Sequence, residues 1–230
     1  MRKSFDTQLE ELGHDLVAMA AAAEDAIDVV TGSLASPVSA DRAQEAAELT
    51  RTMDEMERNI EDQCLRLLLR QQPVARDLRT ISAALKMVTD LQRIGDQCAN
   101  IAEISLLWQG EKRSNVGLAH IRTMSQKAAV MVKKSIRSYA DRDDAAARAV
   151  IALDDEVDAL FRQIREELVE GLAARREEAD RAIDLIIIAK YLERIADHAV
   201  NIAQWAIYCV TGEILSQQIL SAGLAGEPQR

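Results

Sequence analysis

Apolar residues recur at intervals of three and four along most of the chain, which is the spacing that lets an α-helix bury one face. The pattern breaks near Pro37 and Pro73, and the short polar stretch at residues 110–114 is typical of a linker. We expect Pro73 in the first turn of the third helix, Gly171 near the end of the fifth, and Gly212 at the C-cap of the sixth. The predicted helices cover residues 5–34, 40–72, 73–108, 116–141, 143–170 and 178–211.

A twelve-residue motif occurs twice, once in each half of the chain. Residues 192–203 read L-E-R-I-A-D-H-A-V-N-I-A and residues 91–102 read L-Q-R-I-G-D-Q-C-A-N-I-A, with seven identical positions and no gap. This internal duplication, together with the helix order, predicts an all-α fold of two tandem three-helix bundles. The predicted domain boundaries are 1–112 for the first bundle, 113–212 for the second and 213–230 for a C-terminal tail.

The composition agrees with helical bundles and restricts the function. Hydrophobic residues make up 48% of the chain and aromatic residues only 3%, so the core must be aliphatic. A formal charge of -10 argues against nucleic-acid binding, which needs a basic surface to displace counterions from phosphates. Three widely spaced cysteines do not suggest a disulfide framework. Because the sequence has no signal-peptide pattern and no apolar run of membrane-spanning length, we expect a cytoplasmic protein.

Acidic and amide side chains follow one edge of the apolar seam in the last helix. Glu193, Asp197 and Asn201 are spaced four residues apart, so they form one stripe. Asp154 and Asp158 form a second pair at the same spacing on the preceding helix, and antiparallel neighbours would bring the two pairs together. The seam that these acids flank consists of Leu192, Ile195, Ala199 and Ile202.

Like charges at this spacing repel each other by about 0.2–0.5 kcal/mol per pair even on an exposed helix, and a bound cation would relieve that repulsion. Carboxylate and amide oxygens are the donors that hard divalent or trivalent metals prefer. We therefore predict a metal site in the second bundle, with Fe, Mn or Mg favoured over Zn.

The first half carries a weaker version of the same site. Asp96 and Asn100 are retained there, but Gln92 stands where the second copy has Glu193, and Thr50 replaces one carboxylate of the preceding helix. Acids further along that helix compensate in part for the lost charge. The weaker site is predicted to comprise Asp54, Glu57, Asp96 and Asn100.

Two other interpretations stay open. An acidic pair at helical spacing is usually a solvated face, in which Arg194 would pair with Asp197. Helical bundles with inward-facing carboxylates also include oxygen-dependent di-metal enzymes, which use a Glu-x-x-His motif from each of two helices. Only Glu11 and His14 match that motif in this chain. His198 points to a different side from Asp197 and is expected at the surface.

Three motifs resemble the signatures of the PhoU family: Q-P-V-A-R-D-L-R at residues 72–79, L-Q-R-I-G-D at residues 91–96 and the complete motif at residues 192–203. The resemblance implies two three-helix bundles and a cytoplasmic, non-enzymatic regulator that restrains the phosphate-starvation response. It implies action between the ATPase subunit of the phosphate ABC transporter and a membrane sensor histidine kinase. It also implies a homodimer that reaches the membrane only through its partners.

Members of that family bind metals through paired motifs in which two acids are separated by three residues. The resemblance places one such motif at Glu193 and Asp197, and its helix-two counterpart at Asp154 and Asp158. In the first half the corresponding motif is incomplete, because Gln92 replaces the first acid.

Overall fold

The computed structural model describes residues 2–35, 40–71, 73–107, 117–174 and 179–213, and all regular structure in these ranges is helical. The predicted linker at residues 110–114, the predicted boundary at residue 112 and the tail beyond residue 213 lie outside the described residues. The helices are α1 (Arg2–Ala35), α2 (Ala40–Gln71), α3 (Arg76–Leu106), α4 (Leu118–Asp141), α5 (Asp144–Ala174) and α6 (Ala179–Thr211).

The predicted start of α3 and the predicted end of α5 were wrong, and one local feature is confirmed. Helix α3 begins at Arg76, three residues after Pro73, because Ala75 at its N-cap has a φ of 46° and interrupts helical geometry. Helix α5 continues through Gly171 to Ala174, since a single glycine weakens a helix without ending it. Gly212 has a φ of 80° and donates its N–H to the carbonyl of Tyr208 at 2.8 Å, which is the predicted C-cap.

The six helices form two three-helix bundles that lie side by side. Helices α1, α2 and α3 pack on one another, as do α4, α5 and α6, and the contacts of α3 with α6 and of α1 with α4 join the bundles. Helix α3 runs antiparallel to α6, because the Cys209 thiol contacts the carbonyl of Arg79 while His198 contacts Asp90. The all-α fold of two related bundles is therefore confirmed.

One apolar core extends through both bundles. The predicted seam of α6 is fully buried, and Leu91, Ile94 and Cys98 hold the equivalent positions of α3. All three cysteines are buried and free, and burial raises the pKa of their thiols to about 12. None of the helices in the described ranges combines the length and the apolar character that crossing a membrane requires. The packing fixes which edges of α3 and α6 face outward, and these edges carry the acidic residues. The buried seam residues of α6 are Leu192, Ile195, Ala199 and Ile202.

Candidate metal centre

The second bundle brings the acidic side chains of α5 and α6 within electrostatic range of one another. Burial raises the pKa of Asp154 to about 6, and the next contributions come from Asp158 on the same helix and Asp197 on α6. Burial also raises the pKa of Asp197, followed by the charge of Glu193. These four carboxylates therefore repel one another across the helix–helix contact and along each helix.

Lys190 supplies a positive charge to this acidic cluster. Its ammonium group forms an ion pair with Glu193, whose side chain is only 16% exposed, and lies 5.5 Å from the centre of the Phe161 ring. Among the basic groups that lower the pKa of Asp197, Lys190 acts most strongly and His198 follows. One ammonium group thus stands against four carboxylates, and the pKa of Asp154 is raised by burial first and by the other acids next.

In the first bundle, the amide of Gln92 donates hydrogen bonds to the acidic side chains. The amide nitrogen donates to Asp54 at 3.2 Å and to Asp96 at 3.0 Å, so it bridges α2 and α3. Thr50 donates its hydroxyl to the carbonyl of Ala46 and, at 3.3 Å, to that of Gly95 on α3. Neutral hydrogen-bonding groups thus occupy the places that carboxylates hold in the second bundle.

Other residues of the predicted weaker site follow the same helix faces. Glu57 is half-buried, and burial raises its pKa, followed by the charges of Glu61, Asp54 and Asp96. Asn100 is also half-buried, one turn beyond Asp96 on α3. The first bundle therefore retains acidic repulsion at Glu57, although its two central carboxylates already accept hydrogen bonds from an amide.

Asn201 and His198 are directed toward α3 and away from the α5 acids. The amide of Asn201 donates to a carboxylate oxygen of Asp90 at 3.3 Å, and Nδ1 of His198 lies 2.9 Å from the same oxygen. The predicted surface position of His198 was wrong, since only 14% of its side chain is exposed. Asp90 is itself buried, and no motif in the sequence had marked it.

The donor types in the second bundle suit a hard cation. Asp154 and the acids that raise its pKa offer carboxylate oxygens, which hard cations prefer. Within the described ranges, however, no three Asp, Glu, His or Cys side chains form a ready-made metal shell. The carboxylates would therefore have to move closer together around an ion. Asp154, Asp158, Glu193 and Asp197 are the residues that would hold it.

The comparisons with known proteins converge on one family. The family model described as "PhoU domain" matches residues 16–105 and again residues 121–206. A phosphate-specific transport system accessory protein PhoU homolog from Clostridium acetobutylicum is 34% identical over 213 residues, covering 92% of this chain and 96% of the relative. A protein of the same description from Aquifex aeolicus is 37% identical over 211 residues, with coverage of 92% and 95%.

A crystal structure of PhoU from Pseudomonas aeruginosa has the same arrangement of helices. It superimposes with a TM-score of 0.85 at 32% sequence identity, and the match covers 91% of this chain and all of that one. The likeness in sequence and the likeness in fold therefore extend over the same two repeats.

Proposed function

The chain belongs to the PhoU family, and we propose that it is a regulatory accessory protein of phosphate transport. The observation that carries this proposal is the family match over both repeats, supported by relatives of 34% and 37% identity that are named as transport accessory proteins. In this role the protein keeps the phosphate-starvation response switched off when phosphate is plentiful. It does so without catalysing a reaction.

The proposed partners are the ATPase subunit of the phosphate ABC transporter and the phosphate sensor histidine kinase. The protein acts in the cytoplasm as a homodimer and reaches the membrane through these partners. A net charge of -10 supports a protein partner over a nucleic acid, because phosphate backbones would be repelled. Affinity capture of both partners with the tagged protein, at high and at low phosphate, tests this assignment. Capture of neither partner at either concentration would contradict it.

Gene deletion tests the regulatory role directly. Transcripts of phosphate-starvation genes should be high in phosphate-rich medium when the gene is deleted, and an intact copy supplied in trans should restore repression. Normal repression in the deletion strain would refute the proposal. The readout is transcript abundance, so the result does not depend on whether the protein binds metal.

We also propose that the second bundle binds a divalent or trivalent cation, with Fe, Mn and Mg favoured and Zn less suited. The cation would neutralise the carboxylates of α5 and α6 and fix these helices to each other. This is supported by the raised pKa values of Asp154 and Asp197, to which burial contributes most and the charges of the neighbouring carboxylates come next. The first bundle is the weaker site, because the Gln92 amide already bridges two of its carboxylates.

A matched pair of variants tests this asymmetry between the bundles. Asp197→Ala should lower the metal bound per chain more than Asp96→Ala, because the two positions are equivalent in the repeat but only the former lies in the four-carboxylate cluster. The measurement is elemental analysis of protein purified without chelator, followed by calorimetric titration with Mn²⁺. Equal loss in the two variants, or no bound metal in the unmodified protein, would contradict the assignment.

A further inference from the structure

A cavity of about 880 Å³ lies where the two bundles meet, at the end of the molecule where α3 begins and α6 ends. Its walls come from residues 6–17 of α1, residues 74–80 at the start of α3, residues 137–142 at the end of α4, and Cys209 of α6. Both repeats therefore contribute to it, and small-molecule sites of about 300–1,000 Å³ are typical of such junctions. We call this cavity the joint pocket.

The motif at residues 72–79 supplies one wall of the joint pocket. Residues 74–77 line it, and Ala75 among them has a φ of 46° and a ψ of -107°, a conformation that a residue with a Cβ atom rarely adopts. Such backbone persists where the surrounding structure holds it in place, which is frequent at ligand sites. As a result, α3 begins with Arg76 in the pocket wall.

The floor of the joint pocket is electropositive. It consists of Thr80, Tyr139 and Cys209, each at most 8% exposed. Burial raises the pKa of the Cys209 thiol, whereas the guanidinium groups of Arg142 and Arg79 lower it, and no described carboxylate contributes. Arg142 also opposes the rise that burial causes in the pKa of Tyr139. The permanent charges within electrostatic range of the floor are therefore positive.

Two arginines of the lining have their charge available for a ligand. Arg137 pairs with Asp141 at 2.9 Å, but Arg76 and Arg142 form no ion pair with any described residue. Arg79, whose carbonyl contacts the Cys209 thiol, has a buried Nε without a hydrogen-bond partner among the described residues. Guanidinium groups bind phosphate oxygens through pairs of charge-assisted hydrogen bonds. The floor and the Arg76 wall thus suit a small oxyanion.

Carboxylates in the same lining narrow the choice of oxyanion. Asp77 follows Arg76 in the wall, and Asp6 and Glu10 are exposed on the α1 side. An ionised carboxylate only accepts hydrogen bonds. Inorganic phosphate keeps a proton at neutral pH that a carboxylate can accept, whereas sulfate has no proton and would be repelled. A lining that combines arginines with carboxylates therefore favours phosphate over sulfate.

We propose that the joint pocket binds a phosphate group, with Arg76 and Arg142 on its oxygens and Asp77 accepting its proton. The cavity has room for inorganic phosphate or for a phosphate monoester. Because the pocket is built from both bundles, a bound phosphate group would fix α3 and α4 to each other. This inference rests on the proposed regulation of phosphate transport and adds a ligand through which the regulator itself responds to phosphate.

Calorimetric titration of the purified full chain, without added metal, tests the ligand. Inorganic phosphate should bind with a Kd below about 1 mM and at least about tenfold more tightly than sulfate. Adenosine monophosphate serves as the monoester, and tighter binding of it than of inorganic phosphate would identify a monoester as the source of the phosphate group. No binding of either phosphate compound up to about 10 mM, or equal affinity for sulfate, would overturn the proposal.

Substitutions locate the binding in the joint pocket. Arg76→Gln and Arg142→Gln should each weaken phosphate binding by at least about tenfold, since each removes charge-assisted hydrogen bonds. Arg122→Gln, at an exposed arginine of α4 outside the pocket, is the matched control and should leave the affinity unchanged. Asp77→Asn should reduce the preference for phosphate over sulfate, because an amide does not repel sulfate. Far-UV circular dichroism checks that each variant is folded.

The outcomes separate the ligand from the regulatory role. Equal affinity of the Arg142→Gln and Arg122→Gln variants for phosphate would overturn the assignment to the joint pocket. If the chain binds no phosphate while deletion of the gene still raises transcripts of phosphate-starvation genes, the ligand is refuted and the regulatory role stands.

Discussion

Replacing Asp154 by Asn should stabilise the metal-free protein at neutral pH. Burial, with the charge of Asp158 next, raises the pKa of Asp154 from an ordinary value of 3.8 to about 6. The folded state therefore binds more protons than the unfolded state between these two values. By linkage, stability falls as pH rises from about 4 to 6, and the full cost of the ionised carboxylate is present above that range.

The size of the effect follows from the shift. The difference between a pKa of 3.8 and a pKa of about 6 corresponds to about 3 kcal/mol, at about 1.36 kcal/mol per pKa unit. Asp154 is only half-buried, so solvent screening reduces this to about 1 kcal/mol. Asn keeps the shape without the charge, so Asp154→Asn should raise Tm by roughly 2–4 °C at pH 7.5 for a chain of this size. At pH 4 most of the gain should disappear, because the folded state of the unmodified protein then carries a protonated Asp154.

Thermal unfolding followed by circular dichroism at pH 4, 5, 6 and 7.5, with chelator present, measures this directly. Asp155→Asn is the matched control, since Asp155 neighbours Asp154 in the chain but is exposed. The control should raise Tm by less at pH 7.5. An Asp154→Asn variant that melts no higher than the unmodified protein at pH 7.5, or that gains equally at pH 4, would show that the carboxylates of α5 and α6 do not strain the fold.

Three further substitutions and one control, His120→Ala, probe other polar contacts. Gln92→Glu should lower the free energy of unfolding of metal-free protein by about 1 kcal/mol, since it places a third charge between two carboxylates, and should add Mn²⁺-dependent stabilisation visible in melting curves. His198→Ala should cost about 1–3 kcal/mol in urea unfolding because Asp90 is buried, whereas His120→Ala, in a pair about one third exposed, should cost less than about 1 kcal/mol. Lys190→Gln should tighten Mn²⁺ binding in calorimetry, since the internal cation no longer competes; weaker binding would contradict this.

The helical architecture could be predicted because apolar periodicity reports directly which face of each helix is buried. The errors arose where local chemistry allows more than one outcome. Pro73 is compatible with the first turn of a helix, but Ala75 adopts a positive φ and delays α3 until Arg76. Gly171 is compatible with a helix end, yet α5 continues through it to Ala174, because a single glycine weakens a helix without ending it.

The candidate site was predictable only in part. Spacing along a helix identifies which carboxylates share an edge, because that depends on the helix alone. The contact of His198 with Asp90 joins residues 108 positions apart and depends on how α3 lies against α6. The internal repeat gives no sign of this contact with Asp90, since the equivalent residue in the second copy is Tyr191. Contacts between repeats therefore cannot be inferred from the likeness of the repeats.

The two bundles differ in how the repulsion among their acidic side chains is reduced. Acids at the edge of a buried seam repel each other, and in the first bundle the Gln92 amide donates hydrogen bonds to two of them, Asp54 and Asp96. In the second bundle the acids remain, and one lysine offsets only part of their charge. Binding of a cation would therefore be more favourable in the second bundle than in the first. In the first bundle it would change the contact of α2 with α3 little. Because Asp197 directly precedes His198, which contacts Asp90 of the first bundle, cation binding in the second bundle would act beside the joint between the two. The proposed cation site therefore lies in the bundle that keeps all four carboxylates, and the other bundle carries Thr50 and Gln92 at two of the equivalent positions.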